Sequence, residues 1–269
     1  LEGPYLIAVD LDGTLLTDNK NISPRTKNAL LNAMEKGHHV CISTGRPWRS
    51  SYMYYNELGL NSPIVNFNGA YVHHPHNKDF GYYHSPLDLT IAKNIIKTCE
   101  ELVVKNIMVE VLDHVYLQKP DEVITSTFIM GENPARSGNL IKLLKEDPTS
   151  ILIHPKEGQV DELRRHLVKE HAEVIEQRVW GAPWEIIEIV RAGMNKAVGL
   201  RQIANFLNIP QERIIAFGDE DNDFEMIEYA GHGVAMGNAI DELKQLANFV
   251  TKTNEEDGIA YYLEEVLSL

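Results

Sequence analysis

The chain has 269 residues, 43% of them hydrophobic, and a formal net charge of −14. That length suits one large domain or two smaller ones with a sizeable core. The acidic balance speaks against general nucleic-acid binding, and no run of about 18 apolar residues is present to cross a membrane. The first residues carry no basic stretch followed by an apolar run, so no signal peptide is expected. Cys41 and Cys99 lack metal-type spacing, and Cys41 lies in an apolar run, as a reduced core thiol of a cytoplasmic protein would.

The first segment reads as alternating strands and helices. PYLIAV is a continuous apolar run, the mark of a buried parallel strand. A helix is predicted near 24–36, with Ser23 as cap, Pro24 at the first position and Gly37 at the end. HHVCIS is a second strand, residues 47–58 a second helix, and PIVNFN a third strand ending at Asn68-Gly69. From about 70 the sequence turns polar and irregular. A helix over 87–103, strands near 106–111, 114–118 and at SILIHP, a helix over 158–170 and strands near 173–180 and 185–190 then suggest an α+β domain. From about 195 the alternation returns: a helix over 198–207, the strand RIIAFGD, a helix in DNDFEMIEYA, the strand GHGVAM and a last helix near 256–267. The expected architecture is α/β: a doubly wound parallel sheet built from residues 1–83 and 189–269, with residues 84–188 inserted as an α+β domain.

Ligands of doubly wound sheets gather at the carboxyl ends of the strands. Four features fall there: Asp10 and Asp12, Ser43-Thr44-Gly45-Arg46, Lys196, and the acidic run Asp219 to Asp223. Carboxylates without His or Cys suit a hard cation such as Mg²⁺. Thr44 offers a hydroxyl, Gly45 a backbone N–H and Lys196 a point charge, all suited to phosphate. Asn222 falls in the first turn of a helix, where donors favour anions. A metal and a phosphate together account for two acids at a buried strand end. Asp10, kept ionised, can attack phosphorus, and Asp12 can give a proton to the leaving alcohol and later take one from water.

DLDGTLL, STGR, Lys196 and GDEDND, in this order, resemble the four motifs of the haloacid dehalogenase superfamily, with the Cof-type sugar phosphatases most similar. NGA at 68–70, IEYAGHGVAMGNA at 227–239 and VTKTNEEDGIA at 250–260 support the resemblance. It implies a Rossmann-like core with an inserted cap, and an aspartyl-phosphate mechanism. It further implies that Asp10, Asp219 and the backbone carbonyl of Asp12 hold Mg²⁺, and that the backbone N–H of Leu11 meets phosphate beside Thr44, Gly45, Lys196 and Asn222. Asp223 matches a supporting acid behind the metal, and Arg46 is read as the partner of a nearby carboxylate.

Glu220 and Asp221 are expected to cap or to face solvent. His73, His74 and His76 resemble a metal cluster but have no adjacent acidic partner, and Trp180 and Trp184 are read as packing. The expected function is Mg²⁺-dependent hydrolysis of a small phosphorylated metabolite, sugar phosphates leading, by a monomer or homodimer that binds neither nucleic acid nor membrane. The alternatives are a phosphomutase, which needs a basic patch for a second phosphate (Arg136, Arg164, Arg165 and Arg178 are candidates), and a non-catalytic phosphometabolite sensor.

Overall fold

The computed structural model describes residues 3–128, 134–171, 173–179 and 185–269; Trp180 and Trp184 lie outside them. Strand β1 (Leu6–Val9) has no exposed surface at any residue, which is why its sequence is apolar throughout rather than alternating. Helix α1 (Pro24–Glu35) begins as its sequence dictates: the Ser23 hydroxyl accepts from the Thr26 N–H, and Pro24 takes a position that needs no donor. After β2 (His39–Ile42), the expected second helix is interrupted: Trp48–Ser50 make a single tight turn, and α2 spans only Tyr52–Glu57. β3 (Ile64–Asn66) follows. The stretch read as irregular contains β4 (Tyr71–His73) and β5 (Tyr82–His84), which join β3 in a three-stranded sheet. Strands of three residues are too short to show an alternation in sequence.

The inserted segment runs α3 (Leu89–Glu101), β6 (Asn106–Val111), β7 (His114–Leu117), α4 (Glu122–Thr127), β8 (Arg136–Ser137), α5 (Leu140–Leu143), β9 (Ser150–His154), α6 (Val160–His171), β10 (Ile175–Val179) and β11 (Ile187–Arg191). The chain then returns through α7 (Lys196–Leu207), β12 (Ile214–Gly218), α8 (Phe224–Tyr229), β13 (His232–Ala235), α9 (Asp241–Leu246), β14 (Phe249–Val250) and α10 (Gly258–Leu267).

Two compact units result, one of residues 1–46, 51–83 and 195–269, the other of 47–50 and 84–194. The passage back lies beyond 191 because Ile187–Arg191 pairs with β9 and β10 in the second unit's sheet. In the first unit the sheet order is β14-β13-β12-β1-β2, with every pairing parallel. From β1 the chain steps to β2 on one side, and after the insert it returns to β12 on the other. The strand order therefore reverses at β1, and a crevice for ligand is expected at its carboxyl end.

The second unit has the sheet order β10-β11-β9-β6-β7-β8. Its strands alternate: Ile107, Val109, Ile151, Ile153, Ile187 and Ile189 pack in one cluster with residues of α3, α5 and α6, while Met108 and Leu152 join Ile124 in another. Arg136 on β8 and Arg178 on β10 stand at opposite edges of this sheet, with four strands between them and about 24 Å apart. Among the described residues, no helix is long and apolar enough to cross a membrane.

Candidate active site

Asp10 leaves the end of β1 with its N–H bonded to the Phe217 carbonyl of β12, 3.2 Å away. The chain then closes a tight turn over Leu11–Leu15, with the Leu15 N–H on the Asp10 carbonyl and the Leu16 N–H on that of Leu11. The turn needs a glycine: Gly13 has φ +73°, and a Cβ there would stand 2.1 Å from Asp219 Oδ2. Thr14, one residue on, donates its hydroxyl to Asp219 Oδ1 at 3.0 Å.

Lys196, the first residue of α7, has no exposed surface. Its Nζ lies 2.6 Å from Asp10 Oδ1 and 2.6 Å from Asp223 Oδ1. Asp223 Oδ2 in turn accepts from the backbone N–H groups of Asp219, at 2.9 Å, and Glu220, at 3.2 Å. The sequence reading placed Asp223 behind the metal site. In the structure its carboxylate joins those of Asp10 and Asp219, each offering an oxygen within 4.8 Å of the others. Glu220 caps the turn that follows, as expected.

Three buried acids around one ammonium carry an uncompensated negative charge, and the electrostatics follow. Burial pushes Asp10 up to about 7 even against the Lys196 charge, with Asp223 and Asp12 adding to the rise. Burial, then Asp10 and Asp223, push Asp219 up to about 8. Burial alone would lower Lys196, but Asp10 and Asp223 hold it above its ordinary value, so it stays charged. Such a group binds either protons or a cation. With oxygen donors only, it fits a hard divalent ion, and Asp10 and Asp219 have oxygens to offer, whereas both oxygens of Asp223 are engaged.

Asp12 has the opposite environment. Its Oδ1 accepts from Lys20 Nζ at 2.8 Å and Arg46 Nη2 at 2.7 Å, and its Oδ2 from Arg46 Nε at 2.7 Å. The Arg46 guanidinium also lies 5.6 Å from the Tyr54 ring centre. Burial raises the Asp12 pKa, but these hydrogen bonds outweigh it and hold the carboxyl down at about 2. The expected pairing of Arg46 with an acid is thus present, and the acid is Asp12. Lys20 carried no sequence signal; it sits in a turn at φ +61°.

A second set of groups comes from β2 and its neighbours. Thr44 is buried, its hydroxyl accepts from the Arg46 N–H at 3.1 Å, and its carbonyl accepts from the Asn68 N–H at 3.1 Å. Asn222 donates its side-chain N–H to Asn68 Oδ1 at 3.1 Å. Leu11 is buried at the start of the tight turn. The three histidines have other partners: His73 Nε2 meets Asn66 Oδ1, and His74 Nδ1 accepts from the N–H groups of His76 and Asn77.

The profile of haloacid dehalogenase-like hydrolases matches residues 7–263. The chain belongs to this family. The 5-amino-6-(5-phospho-D-ribitylamino)uracil phosphatase YitU of Bacillus subtilis is 54% identical over 266 residues, covering 99% of this chain and 98% of that protein. The pyridoxal phosphate phosphatase YbhA of Escherichia coli is 31% identical, covering 96% of this chain and 97% of that protein. The crystal structure of TM0651 from Thermotoga maritima superposes with a TM-score of 0.85 at 30% identity, covering 98% of each chain. In this haloacid dehalogenase-like hydrolase, the carboxylates and the lysine come from chain segments on either side of the insert.

Proposed function

We propose that this chain is a Mg²⁺-dependent phosphatase acting through an aspartyl-phosphate on Asp10, with 5-amino-6-(5-phospho-D-ribitylamino)uracil as its substrate. The observation that carries the reaction is the buried group of Asp10, Asp219 and Asp223 on Lys196 at the end of β1. Asp10 and Asp219, with the Asp12 carbonyl, would hold the ion. When bound, Mg²⁺ supplies charge that neutralises the phosphoryl oxygens and keeps Asp10 ionised.

Asp10 attacks phosphorus and the bond to the leaving oxygen breaks. Asp12 gives its proton to that oxygen, so the product leaves as an alcohol. In the second half Asp12 takes a proton from water as the water attacks phosphorus, and Asp10 leaves as a carboxylate. Lys196 stays charged throughout and stabilises the transferring phosphoryl group. With Arg46 and Lys20 on it, Asp12 is a carboxylate, so the first half-reaction requires those cations to release it.

Phosphatase activity rests on the family and on relatives named for it. The substrate rests on the 54% identical relative; at 31% identity the named substrate is already another, as YbhA shows. The proposed substrate is a phosphorylated sugar alcohol on a pyrimidine, close to the sugar phosphates expected from sequence. Arg136 stands at the opposite sheet edge from Arg178, so the four candidate arginines do not form one patch; a requirement for a bisphosphate activator would favour the mutase. The test is phosphate release, with Mg²⁺ or EDTA, from a panel of this compound, pyridoxal phosphate, hexose phosphates and nucleotides. The ribitylaminouracil phosphate should lead in kcat/KM. A hexose phosphate in first place would overturn the substrate, and no release from any compound would overturn the phosphatase.

A further inference from the structure

The backbone is costly where β3 ends. Phe67, Asn68 and Gly69 have φ of 51°, 52° and 99° in succession. Left-handed backbone is disfavoured for side chains with a Cβ, most of all bulky ones, and persists where the surroundings enforce it. Burial of the Phe67 ring, 1% exposed, is part of that enforcement.

What the turn touches gives it a purpose. The Phe67 N–H meets the Arg46 carbonyl at 3.3 Å, and the Asn68 N–H meets that of Thr44 at 3.1 Å. The Asn68 amide lies against Gly45, where an added Cβ would stand 3.1 Å from it. Gly69 packs on the backbone of Asn195, the cap of the helix that begins with Lys196; a Cβ on Gly69 would stand 2.2 Å from the Asn195 carbonyl oxygen. The Asn68 side chain accepts from Asn222 at 3.1 Å. One strained turn therefore meets the segments that carry Thr44 and Gly45, Lys196 and Asn222.

We propose that Asn68 is a positioning residue for phosphate binding, acting through Asn222; this rests on the phosphatase reading above. The Asn222 amide has two N–H groups. Asn68 Oδ1 accepts one, which fixes the plane of the amide and aims the other. The left-handed backbone at 68 is what brings the side-chain acceptor to Asn222 while the main-chain N–H stays on Thr44. Asn68 touches no reacting atom; its effect is on how well Asn222 holds a phosphoryl oxygen.

The test is a double-mutant cycle of Asn68→Gly and Asn222→Ala, read as KM for an aryl phosphate and Ki for inorganic phosphate. Glycine keeps the left-handed backbone and removes the acceptor. Asn68→Gly should raise both constants about tenfold, more than it lowers kcat, and adding Asn222→Ala should cost little further. Unchanged constants, or two fully additive losses, would overturn the inference. Asn68→Asp also tolerates this backbone and keeps the acceptor, and it carries the test if the glycine variant does not fold. In the Asn68→Asp background, Asn222→Ala should cost as much as in the wild type; a vanished cost would contradict the proposal. Wild type without any phosphatase activity would instead sink the functional reading itself, so the two failures are distinct.

Discussion

Lys196 Nζ stands at the same 2.6 Å from Asp10 and from Asp223, so one buried ammonium fixes both the candidate nucleophile and the acid that anchors the loop after β12. Removing it leaves buried carboxylates without their cation. Lys196→Met, similar in length but uncharged, should lower kcat at least about a hundredfold. It should also destabilise the fold, by about 3–5 kcal/mol where the acids are ionised. The loss should be larger at pH 8 than at pH 5, where protons replace the missing charge. Thermal melts at the two pH values check this, and equal losses would contradict it.

The same electrostatics predict how metal and pH interact. Asp10 and Asp219 are raised to about 7 and about 8 in the metal-free fold, against about 3.9 in an unfolded chain. Their contribution to stability is complete below about 4 and is lost as pH rises through 7 and 8. Mg²⁺ offsets that loss, so its gain in Tm should be larger at pH 8 than at pH 5.5, and binding at pH 6.5 should release protons. Melts with Mg²⁺ or EDTA, and calorimetry in buffers of different ionisation enthalpy, measure both. A pH-independent gain with no proton release would show that these acids are not the ligands.

Asp12 separates the two half-reactions. p-Nitrophenolate leaves without needing a proton, whereas the water that cleaves the aspartyl-phosphate needs a base. Asp12→Ala should therefore give a burst of about one p-nitrophenolate per enzyme followed by slow turnover. Stopped-flow absorbance reads it directly. A uniformly slowed reaction without a burst would remove Asp12 from the second step.

Gly13→Ala tests the contact between the first and fourth motifs. The new methyl would overlap Asp219 Oδ2 and displace the carboxylate. The Mg²⁺ concentration for half activation should rise about tenfold, with Asp219→Asn doing the same. An unchanged Mg²⁺ titration in both variants would place the ion elsewhere.

In the second unit, Arg49 and Glu110 form an ion pair with both side chains almost fully buried, and Ser150 donates to the same carboxylate. Residues 47–50 belong to that unit although they follow β2 in sequence. Glu110→Ala takes one carboxylate away from the buried Arg49 charge and should destabilise this unit by about 3–5 kcal/mol. Differential scanning calorimetry should show a lowered transition; an unchanged one would mean the pair contributes nothing.

The parallel core was legible because its strands are buried on both faces and so read as unbroken apolar runs, LIAV and IIAF among them. The ends of α1 were legible because Ser23, Pro24 and Gly37 act locally. The site's acids and Lys196 were legible because each follows or opens an element at the same edge of the sheet. Hidden were features that depend on partners distant in sequence. Nothing near Asp12 says that Lys20 and Arg46 converge on it, and nothing near Asn68 says that Asn222, on another strand's end, donates to it. The spacing of Asp223 suggested an acid behind the metal but did not show that it grips Lys196 and the N–H groups of Asp219 and Glu220. The short β4 and β5 lacked the length to show a period.

The most direct test of the account is whether phosphate becomes covalently attached to Asp10. Enzyme mixed with substrate and Mg²⁺, quenched in acid within milliseconds and digested, should yield a phosphorylated peptide containing Asp10. The label should be absent with EDTA and in Asp10→Asn, which should also fail to release phosphate. Turnover by Asp10→Asn near the wild-type rate, or a phosphoryl group trapped on another residue, would contradict the central claim.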